Sequence, residues 1–512
     1  MRRIVRLAAL LAAAAMLMSG CVFTRQESES IESIALPEPS PAPKNMILGE
    51  RLPARSTSVT LYFARTDGAS FTAVTRSLRA EPGESLLDAA VNALLTPGPV
   101  GQEMYFSTGD TRLLGCEFAC GLATVNLSID ARNVQSEQEL MSLVAAIGNT
   151  LLSIEGVKGV NVLIGDESER FSQLPLGVQT ALIPSVTAAH AQLQAEREHF
   201  FAGDVPIERT AALYFPASEG GFLIPELRTL SFSGENFTET LIAALRDGPR
   251  AQRSAFTALP EDVDLLEAPR IITLTTGEHA LVLNYSSTLA NYLAFSGMEL
   301  WQLAGSVALT LTSFVPEVDV VRILVNDEPI TVMEIDGEIV RFPNGMVRRD
   351  DFAARIGSVA TLYLPDEKGA LHPVERAVAR RAALSPRSLL EALFEYADPA
   401  GKLALPAPEG VSGVDILGIQ VENGIALVNL SAGFYRACQT LDAAAERGLI
   451  YAIVNTLCRL NGISGVRFFI EGLSAETLSG SIYLKSALLP NPGIVVNPED
   501  ELITEVLLEM EE

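Results

Sequence analysis

Hydrophobic and polar positions alternate along this chain in short runs that indicate strands and helices in a fixed order. Val59 to Phe63 alternates as a strand, and Phe71 to Leu78 follows as its hairpin partner. A helical stretch runs from Ser85 to Leu95, and a second hairpin, a second helix and a last apolar strand come after it. This order predicts an α+β unit, β-β-α-β-β-α-β, with two helices packed on one face of a mixed sheet.

The same pattern occurs three times at domain-sized intervals. The opening strands carry Leu61-Tyr62-Phe63, Leu213-Tyr214-Phe215 and Leu362-Tyr363-Leu364, separated by 152 and then 149 residues. A later strand ends in a shared asparagine and serine, namely Asn126 with Ser128, Asn284 with Ser286 and Asn429 with Ser431. Because this interval is much longer than a solenoid repeat, each copy can bury its own core. We therefore predict module 1 at 56–185, module 2 at 207–330 and module 3 at 357–490.

Turn and cap residues support these elements. Asn423-Gly424 is the favoured pair for a two-residue hairpin turn with positive φ at both positions. Ser385-Pro386 indicates a helix cap followed by proline at the first helical position. Capping-box spacing predicts further helix starts at Ser136 with Glu139, Ser296 with Glu299 and Asn236 with Glu239.

The segments between the modules are also predicted to be structured. Residues 186–206 contain a linker helix from Val186 to Phe201, and the connector 331–356 alternates in a way that predicts a hairpin around Asp336-Gly337. We expect these segments to pack the modules against one another or to extend the preceding sheet. Residues 491–512 are predicted to be an acidic C-terminal tail.

The first 21 residues have the pattern of a secretory leader. Three arginines precede an apolar run from Leu7 to Leu17, and Met18-Ser19-Gly20-Cys21 follows. Small residues before a cysteine resemble a bacterial lipobox, so we predict a lipoprotein signal peptide at 1–21 and acylation of Cys21. The alternative is an ordinary signal peptide with a chance cysteine. Two or more acyl chains would anchor the chain stably, and the Pro/Glu/Ser-rich residues 22–55 would form a tether.

Charge narrows the range of partners. The chain has 37 Lys+Arg and 63 Asp+Glu, a net charge of −26, and cleavage of the leader would remove three more arginines. Such an acidic surface repels nucleic acid and anionic headgroups, so we expect no nucleic-acid partner. The next candidate span, Leu300 to Val315, is too short and too polar to cross a membrane and is expected to be a core helix. The predicted location is extracytoplasmic, with a lipid anchor in the cell membrane.

Four further cysteines offer two pairs for a disulfide. Cys438 and Cys458 would lie about 25 Å apart along a predicted helix, which excludes that pair. Cys116 and Cys120 stand about 13 Å apart if their predicted strand is fully extended, although a kink at Gly121 could close the pair. Free, buried thiols are favoured, and the Cys116–Cys120 disulfide stays an open alternative.

No catalytic, cofactor or metal pattern is found in the sequence. The sequence has four histidines without helical metal-binding spacing: His190, His199, His279 and His372. The motifs His-Glu-x-x-His, Cys-x-x-Cys and Gly-x-Ser-x-Gly and phosphate-binding glycine loops are missing. Two acid pairs after the closing strands, Asp166-Glu167 and Asp327-Glu328, could supply a general acid and base. Solvated strand ends are favoured because module 3 has only Glu471 there. We predict that the protein is not an enzyme.

The recurring polar residues have a functional and a structural interpretation. The shared Asn and Ser could form a ligand patch, but such residues just past a strand commonly bond nearby backbone in turns, and this interpretation is favoured. Each second helix also carries a threonine within an apolar stretch, and it is expected to bond a carbonyl one turn earlier. These three are Thr150, Thr310 and Thr456.

Together these motifs resemble GerM-type domains, also called sporulation and spore germination domains. The resemblance is carried by the Leu-Tyr-[Phe/Leu] strand, the Leu-Leu-x-x-Gly-Pro helix end at Leu94 to Pro99, the Val-Asn-Leu-Ser strand end and the closing apolar strand. Module 3 departs from the pattern at Phe394 to Asp398, where Gly-Pro is missing. The resemblance implies a fold similar in outline to ring-building motifs, lipobox-bearing tandem copies in endospore formers, and no catalytic or cofactor residues.

The favoured function is a non-enzymatic, membrane-anchored scaffold or assembly factor of the cell envelope in sporulation or germination. Its partners are expected to be envelope or sporulation proteins, and edge strands could also support self-association. The alternative is an extracytoplasmic module that binds cell-wall polymer or a small ligand. Exposed Trp or Tyr platforms would favour that alternative, but the single tryptophan, Trp301, lies on a predicted core helix.

Overall fold

The predicted order of elements is present in all three modules of the computed structural model. It describes residues 48–497 except for gaps at 52–55, 66–69, 80–84, 97–109, 204, 219–220, 235, 251–258, 260–262, 317, 381, 398–402, 404–407 and 409. The predicted leader with Cys21, most of the tether and the end of the acidic tail lie outside the described residues.

Module 1 follows a short strand and contains five main strands and two helices. The short strand is β1 (Gly49–Arg51). The module itself comprises, in chain order, β2 (Ser56–Ala64), β3 (Phe71–Arg79), α1 (Leu86–Leu95), β4 (Leu113–Ala119), β5 (Leu122–Leu127), α2 (Glu137–Leu152) and β6 (Gly159–Ile164). Three short strands and the linker helix come next: β7 (Glu167–Ser168), β8 (Arg170–Phe171), β9 (Leu174–Pro175) and α3 (Val186–Ala202).

Module 2 repeats this order with one additional helix. Its elements are β10 (Ile207–Pro216), β11 (Leu223–Phe232), α4 (Phe237–Arg246), β12 (Arg270–Thr273), β13 (His279–Tyr285), α5 (Thr288–Ser296), α6 (Leu300–Thr312) and β14 (Val320–Val325). The connector then forms β15 (Glu328–Pro329), β16 (Val332–Ile335), β17 (Glu338–Arg341), β18 (Met346–Val347) and α7 (Arg349–Ala353).

Module 3 has the same plan. It comprises β19 (Gly357–Pro365), β20 (Leu371–Ala379), α8 (Pro386–Phe394), β21 (Ile416–Glu422), β22 (Ile425–Leu430), α9 (Ala432–Cys438), α10 (Ala443–Leu457), β23 (Gly465–Ile470) and β24 (Leu473–Ser474). Short 3-10 turns lie at Ile129–Arg132, Pro343–Gly345, Ala382–Leu384, Gly413–Asp415 and Pro492–Ile494.

The α+β class and the element order agree with the prediction, but the strands of each module are divided between two sheets. The first hairpin stands alone as β2-β3, β10-β11 or β19-β20. The other strands form a mixed sheet, β4-β5-β6-β7 in module 1, in which β5 and β6 are parallel and α2 makes the crossover between them. The second helix packs against the first strand of the isolated hairpin. We predicted one mixed sheet in each module. The structure instead has a separate hairpin and a mixed sheet, and the second helix packs against both.

Most of the predicted caps and turns are present. Ser136 accepts a hydrogen bond from the N–H of Glu139, Ser385 caps α8 with Pro386 as its first residue, and Asn423-Gly424 has φ of 49° and 80°. The hairpin around Asp336-Gly337 also forms, with φ of 53° and 79°. These local signals were sufficient because each acts within a few residues of chain.

Two of the predicted helix starts differ from the structure. Ser296 does not open the second helix of module 2; it ends α5, which stops at Gly297 with a left-handed φ of 70°, and Glu299 caps α6. Asn236 precedes α4 but makes no side-chain cap bond. The helix start predicted at Ser296 was wrong because the additional helix α5 occupies the segment between β13 and α6. In module 3, α9 occupies the corresponding segment.

Each module encloses an apolar core, and the core of module 2 extends into module 1. The residues of α6 from Trp301 to Thr312 are all buried, as expected for a core helix. Ala119, Leu122 and Leu174 of module 1 belong to the same cluster as the core of module 2. Modules 1 and 2 are thus packed against one another through apolar surface.

Candidate functional site

The recurring threonines join the hairpin of each module to its second helix. Each Oγ1 accepts a hydrogen bond from the backbone N–H of the recurring tyrosine: Tyr62 to Thr150 at 2.9 Å, Tyr214 to Thr310 at 3.0 Å and Tyr363 to Thr456 at 3.1 Å. The two sequence signatures that define the repeat therefore meet in space. This bond gives the strand N–H a partner where the second helix packs on the hairpin.

The recurring asparagines hold the turn that follows each closing strand. Asn126 donates to the Asp166 carboxylate at 2.6 Å and accepts from the Asp166 N–H at 3.1 Å. Asn284 makes the same two bonds with Asp327, at 2.7 and 3.0 Å, and Asn429 accepts from the N–H of Gly472 at 2.7 Å. The turn residues have positive φ, so the hydrogen bonds from the asparagine stabilise a strained backbone conformation. Asp166 and Asp327 are thus held in turns.

A recurring arginine was missed by the sequence analysis. Arg76, Arg228 and Arg376 lie on the second hairpin strand, 152 and 148 residues apart, and this interval was the signal that could have revealed them. Arg228 donates to the carbonyls of Ala244 and Gly248, and Arg376 donates to that of Ala392, at the ends of the first helices. A cation at a helix C-terminus is favourable.

Each arginine also stacks on an aromatic ring. The guanidinium carbon lies 5.1 Å from the ring centre of Phe63 for Arg76, 5.6 Å from that of Phe215 for Arg228 and 5.5 Å from that of Tyr396 for Arg376. In module 2 the buried Glu226 pairs with Arg228. These residues have partners within their own modules, so they serve the fold.

The chain returns along the outer edge of every closing strand. Val160 pairs with Gln179, Val321 with Val347 and Val466 with Leu488, all antiparallel. In modules 1 and 3 an asparagine on the second helix fixes this returning segment, because Asn149 bonds both the N–H and the carbonyl of Ile183, and Asn455 does the same with Asn491. The edges of β6, β14 and β23 are therefore covered at these positions.

Glu446 fixes another returning segment in module 3. Its side chain is fully buried and accepts hydrogen bonds from the N–H groups of Leu478, Ser479 and Ser481 at 2.9, 2.8 and 2.7 Å. Burial acts to raise the pKa of Glu446, but these hydrogen bonds outweigh it and lower the pKa below its ordinary value. The glutamate therefore stays ionised inside the protein.

An ion network joins the three modules, and we name it the junction: Glu117, Ser313, Arg349 and Arg380. Arg349 and Ser313 are buried, whereas Glu117 and Arg380 are partly exposed. Glu117 of module 1 pairs with Arg349 of the connector at 2.8 Å and with Arg380, just after β20, at 3.0 Å. Arg349 is only 5% exposed and also donates to the Ser313 hydroxyl of module 2 at 2.8 Å. The Glu117 carboxylate of module 1 thus contacts both the connector and module 3.

In the described residues no disulfide joins Cys116, Cys120, Cys438 or Cys458. Cys120 and Gly121 form the turn between β4 and β5 with φ of 52° and 85°, so Cys120 lies in a turn and not on the predicted strand. The N–H of Cys120 donates to the Ser358 hydroxyl of module 3 at 3.3 Å. Burial chiefly raises the pKa of the Cys116 thiol, and burial raises that of Cys438 to about 12. Protonated thiols of this kind are weak nucleophiles.

The histidines lie in separate places. His190 lies 3.6 Å from Glu137, His279 lies 3.6 Å from Asp319 and His372 lies 3.5 Å from Asp366, each in a different part of the chain. Within the described ranges, no group of three His, Cys, Asp or Glu residues is placed to hold a metal ion. An open groove of about 600 Å³ lies beside α3, and its Arg209 and Glu196 pair with each other at 2.6 Å.

The helices of the described residues include none that is both long and apolar enough to cross a membrane. Residues Leu300 to Thr312 form the buried helix α6, as expected.

Comparison with known proteins identifies the repeated unit. The sequence model of the Germane family, described as sporulation and spore germination, matches residues 60–169, 212–331 and 361–476. Each matched range begins in the first hairpin and ends beyond the closing strand. A search of curated proteins finds no significant match.

Among solved structures, the chain is similar to domains of a sporulation protein. The tandem GerMN domains of GerM from Bacillus subtilis match with 14% identity and a TM-score of 0.23, covering 57% of this chain and 100% of that one. The first GerMN domain of the same protein matches with 20% identity and a TM-score of 0.19, covering 26% and 92%. On the threefold family match, which covers most of its length, this chain belongs to the Germane family of sporulation and spore germination domains, with three tandem copies.

Proposed function

We propose that this protein is a membrane-anchored, non-enzymatic scaffold or assembly factor of the cell envelope that acts in sporulation or germination through protein–protein contacts. Membership in the Germane family supports a role in sporulation or spore germination. The observation that carries the scaffold role is the use of the recurring polar residues: Thr, Asn and Arg bond backbone groups of their own modules. The repeat thus preserves a rigid shape, and the surfaces of that shape are available for contact.

The junction supports a fixed arrangement of the three modules. Burying Arg349 and pairing it with Glu117 is costly unless the modules keep their geometry. A scaffold needs this property because its contact surfaces must stay at set distances. The edges of the closing strands are covered by returning segments, so self-association through strand edges would have to use other strands.

The alternative, a module that binds cell-wall polymer or a small ligand, has weaker support. Trp301 is 1% exposed, so it cannot serve as a stacking platform. In the groove beside α3, Arg209 and Glu196 are paired with each other. Neither Trp301 nor this ion pair presents an unused recognition group to a ligand.

Attachment to the membrane is tested at Cys21. Membrane fractions are prepared from cells that express the wild type, Cys21→Ala or the matched control Cys120→Ala, which removes a cysteine outside the leader. We expect Cys21→Ala to leave the membrane fraction and Cys120→Ala to remain in it. Retention of Cys21→Ala would contradict the lipid anchor.

The scaffold role is tested in sporulating cells of the source organism. Deletion of the gene is expected to impair spore formation or germination, and crosslinking of the wild type is expected to recover envelope proteins. Complementation with the full chain is the control. Normal spores and normal germination in the deletion strain would contradict the proposed role.

A further inference from the structure

The strand ahead of module 1 does not pair with module 1; it lies on module 3. β1 forms a parallel pair with β21, with Gly49 opposite Gly418, Glu50 opposite Ile419 and Arg51 opposite Gln420. It becomes the edge strand of the five-stranded sheet β1-β21-β22-β23-β24. In the described parts of modules 1 and 2, the corresponding edge strands β4 and β12 carry no such addition. Module 3 therefore has a sheet edge that accepts an added strand.

A side-chain contact accompanies this backbone pairing. The Glu50 carboxylate accepts a hydrogen bond from the Ser385 hydroxyl at 2.9 Å and from the Arg387 N–H at 3.3 Å. Both donors lie at the start of α8, where free N–H groups and the helix dipole favour a negative charge. The edge of β21 and the start of α8 thus bind two parts of one segment, its backbone and its carboxylate.

Comparison with module 1 shows that the carboxylate comes from a different source. In module 1 the equivalent serine, Ser85, donates its hydroxyl to Asp88 of the same helix at 2.6 Å. The position of Asp88 is occupied by Ser388 in α8, and Ser388 supplies no carboxylate. Module 2 has an acid, Glu239, at the corresponding position of α4. Only the first helix of module 3 lacks an acid of its own there, and an external Glu50 fills the place.

Among the described residues, the added strand pairs with only part of the edge. β1 has three residues, whereas β21 has seven, so the described pairing covers Gly418 to Gln420. A longer extended segment can form more backbone hydrogen bonds with the same edge. The structure therefore contains a strand-addition site with a short occupant from its own chain.

We infer that the outer edge of β21 and the start of α8 form a docking site for an extended, carboxylate-bearing segment of a partner protein, and that Gly49–Arg51 occupies this site in cis. The inference rests on the proposed role in protein–protein contacts and names the kind of partner. The cis segment competes at high effective concentration because it is part of the same chain. A partner strand binds by displacing it.

The experiment uses a fluorescent peptide with the sequence of residues 45–54 and measures its binding by anisotropy. Two proteins are compared: the wild type and Glu50→Pro, which removes a strand N–H and the carboxylate from the cis segment. We expect Glu50→Pro to bind the peptide about tenfold more tightly than the wild type. A peptide with Gln in place of its Glu is expected to bind Glu50→Pro about tenfold more weakly than the unchanged peptide.

A matched variant separates recognition from folding. Ser388→Asp recreates in α8 the internal carboxylate of module 1, so it should keep the helix at least as stable while filling the site. In the Glu50→Pro background, Ser388→Asp is expected to abolish peptide binding without lowering the melting temperature. A structural role alone would not predict loss of binding in a protein of unchanged stability.

Three results would overturn the inference. They are no peptide binding to Glu50→Pro, equal binding to the wild type and Glu50→Pro, and unchanged binding after Ser388→Asp. A concentration-dependent dimer of Glu50→Pro that the peptide dissociates would assign the site to a second copy in place of a partner. These outcomes leave the spore phenotype of the deletion untouched, so failure of the docking site is distinguishable from failure of the scaffold role.

Discussion

At the scale of single residues, the recurring polar side chains satisfy backbone groups that the fold buries. Thr310 is fully buried and accepts the N–H of Tyr214, whose side chain is also buried. Asn284 holds the turn at Asp327, and Arg228 holds the end of α4. A buried backbone group without a partner costs about 1–3 kcal/mol, which is a large share of the stability of a domain.

Removing one such partner should have a measurable cost. Thr310→Val keeps the shape of the side chain but leaves the Tyr214 N–H unpaired. We expect the free energy of unfolding to fall by about 1–3 kcal/mol in urea denaturation followed by circular dichroism. The matched control is Thr273→Val on the exposed strand β12, which should change stability little. Equal effects of the two substitutions would contradict the role assigned to Thr310.

At the scale of elements, side chains on the second helices hold distant segments in place. The threonine of each second helix bonds the first hairpin, and Asn149 and Asn455 bond returning segments. Glu446 near the start of α10 binds three N–H groups of the segment after β24. The second helix is thus the element around which each module is assembled.

Glu446 should make the stability of module 3 depend on pH. Its folded pKa lies below the ordinary value, so its contribution is present in full above the unfolded pKa of about 4.3 and is lost as the pH falls through the folded pKa. We expect Glu446→Gln to lower the free energy of unfolding by about 1.5–3 kcal/mol at pH 7. The difference from the wild type should shrink in denaturation series below about pH 4.3.

The control for this series is Glu338→Gln, which replaces an exposed glutamate on β17. It should leave the free energy of unfolding close to that of the wild type at each pH. A Glu446→Gln deficit that stays constant from pH 7 to pH 3 would show that ionisation of Glu446 does not supply the stability.

At the scale of the whole molecule, the junction makes three modules into one packed arrangement. Glu117 lies between Arg349 and Arg380, and Arg349 reaches Ser313. The two arginines differ in exposure, since the side chain of Arg349 is 6% exposed and that of Arg380 is 24% exposed. Water can therefore compensate Arg380 more readily than Arg349.

This asymmetry predicts the outcome of a double-mutant cycle. Glu117→Ala leaves Arg349 buried without its carboxylate and should cost about 3–5 kcal/mol in thermal or urea unfolding. Adding Arg349→Met removes the uncompensated charge and should recover most of that loss. If the double variant is as unstable as Glu117→Ala alone, the buried charge is not the source of the cost.

Local signals were enough to predict much of the fold. The period-two strands, the Ser385-Pro386 cap and the Asn423-Gly424 turn act within a few residues, and each is found where expected. The interval between copies predicted three like modules because it repeats a pattern long enough to form its own core. The spacing of Ser296 and Glu299 predicted a helix start at Ser296. In the structure Ser296 is the last residue of α5, because Gly297 adopts the left-handed conformation that ends this helix.

The contacts between distant residues could not be predicted from the sequence. A threonine inside an apolar helix was expected to bond a carbonyl of the same helix. Instead, Thr150 accepts the N–H of Tyr62, 88 residues away, and Thr456 accepts that of Tyr363, 93 residues away. The junction and the pairing of β1 with β21 join segments that no local pattern relates. Arg76, Arg228 and Arg376 were visible as a repeat, but their role depends on the helix ends they reach.

The sequence by itself therefore determined most of the elements, their order and their threefold repetition, since propensity and hydrophobic period act locally. Only the tertiary structure decided that each module divides its strands between a hairpin and a sheet, that Glu117 ties three modules together, and that Gly49–Arg51 lies on module 3. The physical reason is that burial decides which polar groups need partners, and burial is a property of the packed chain.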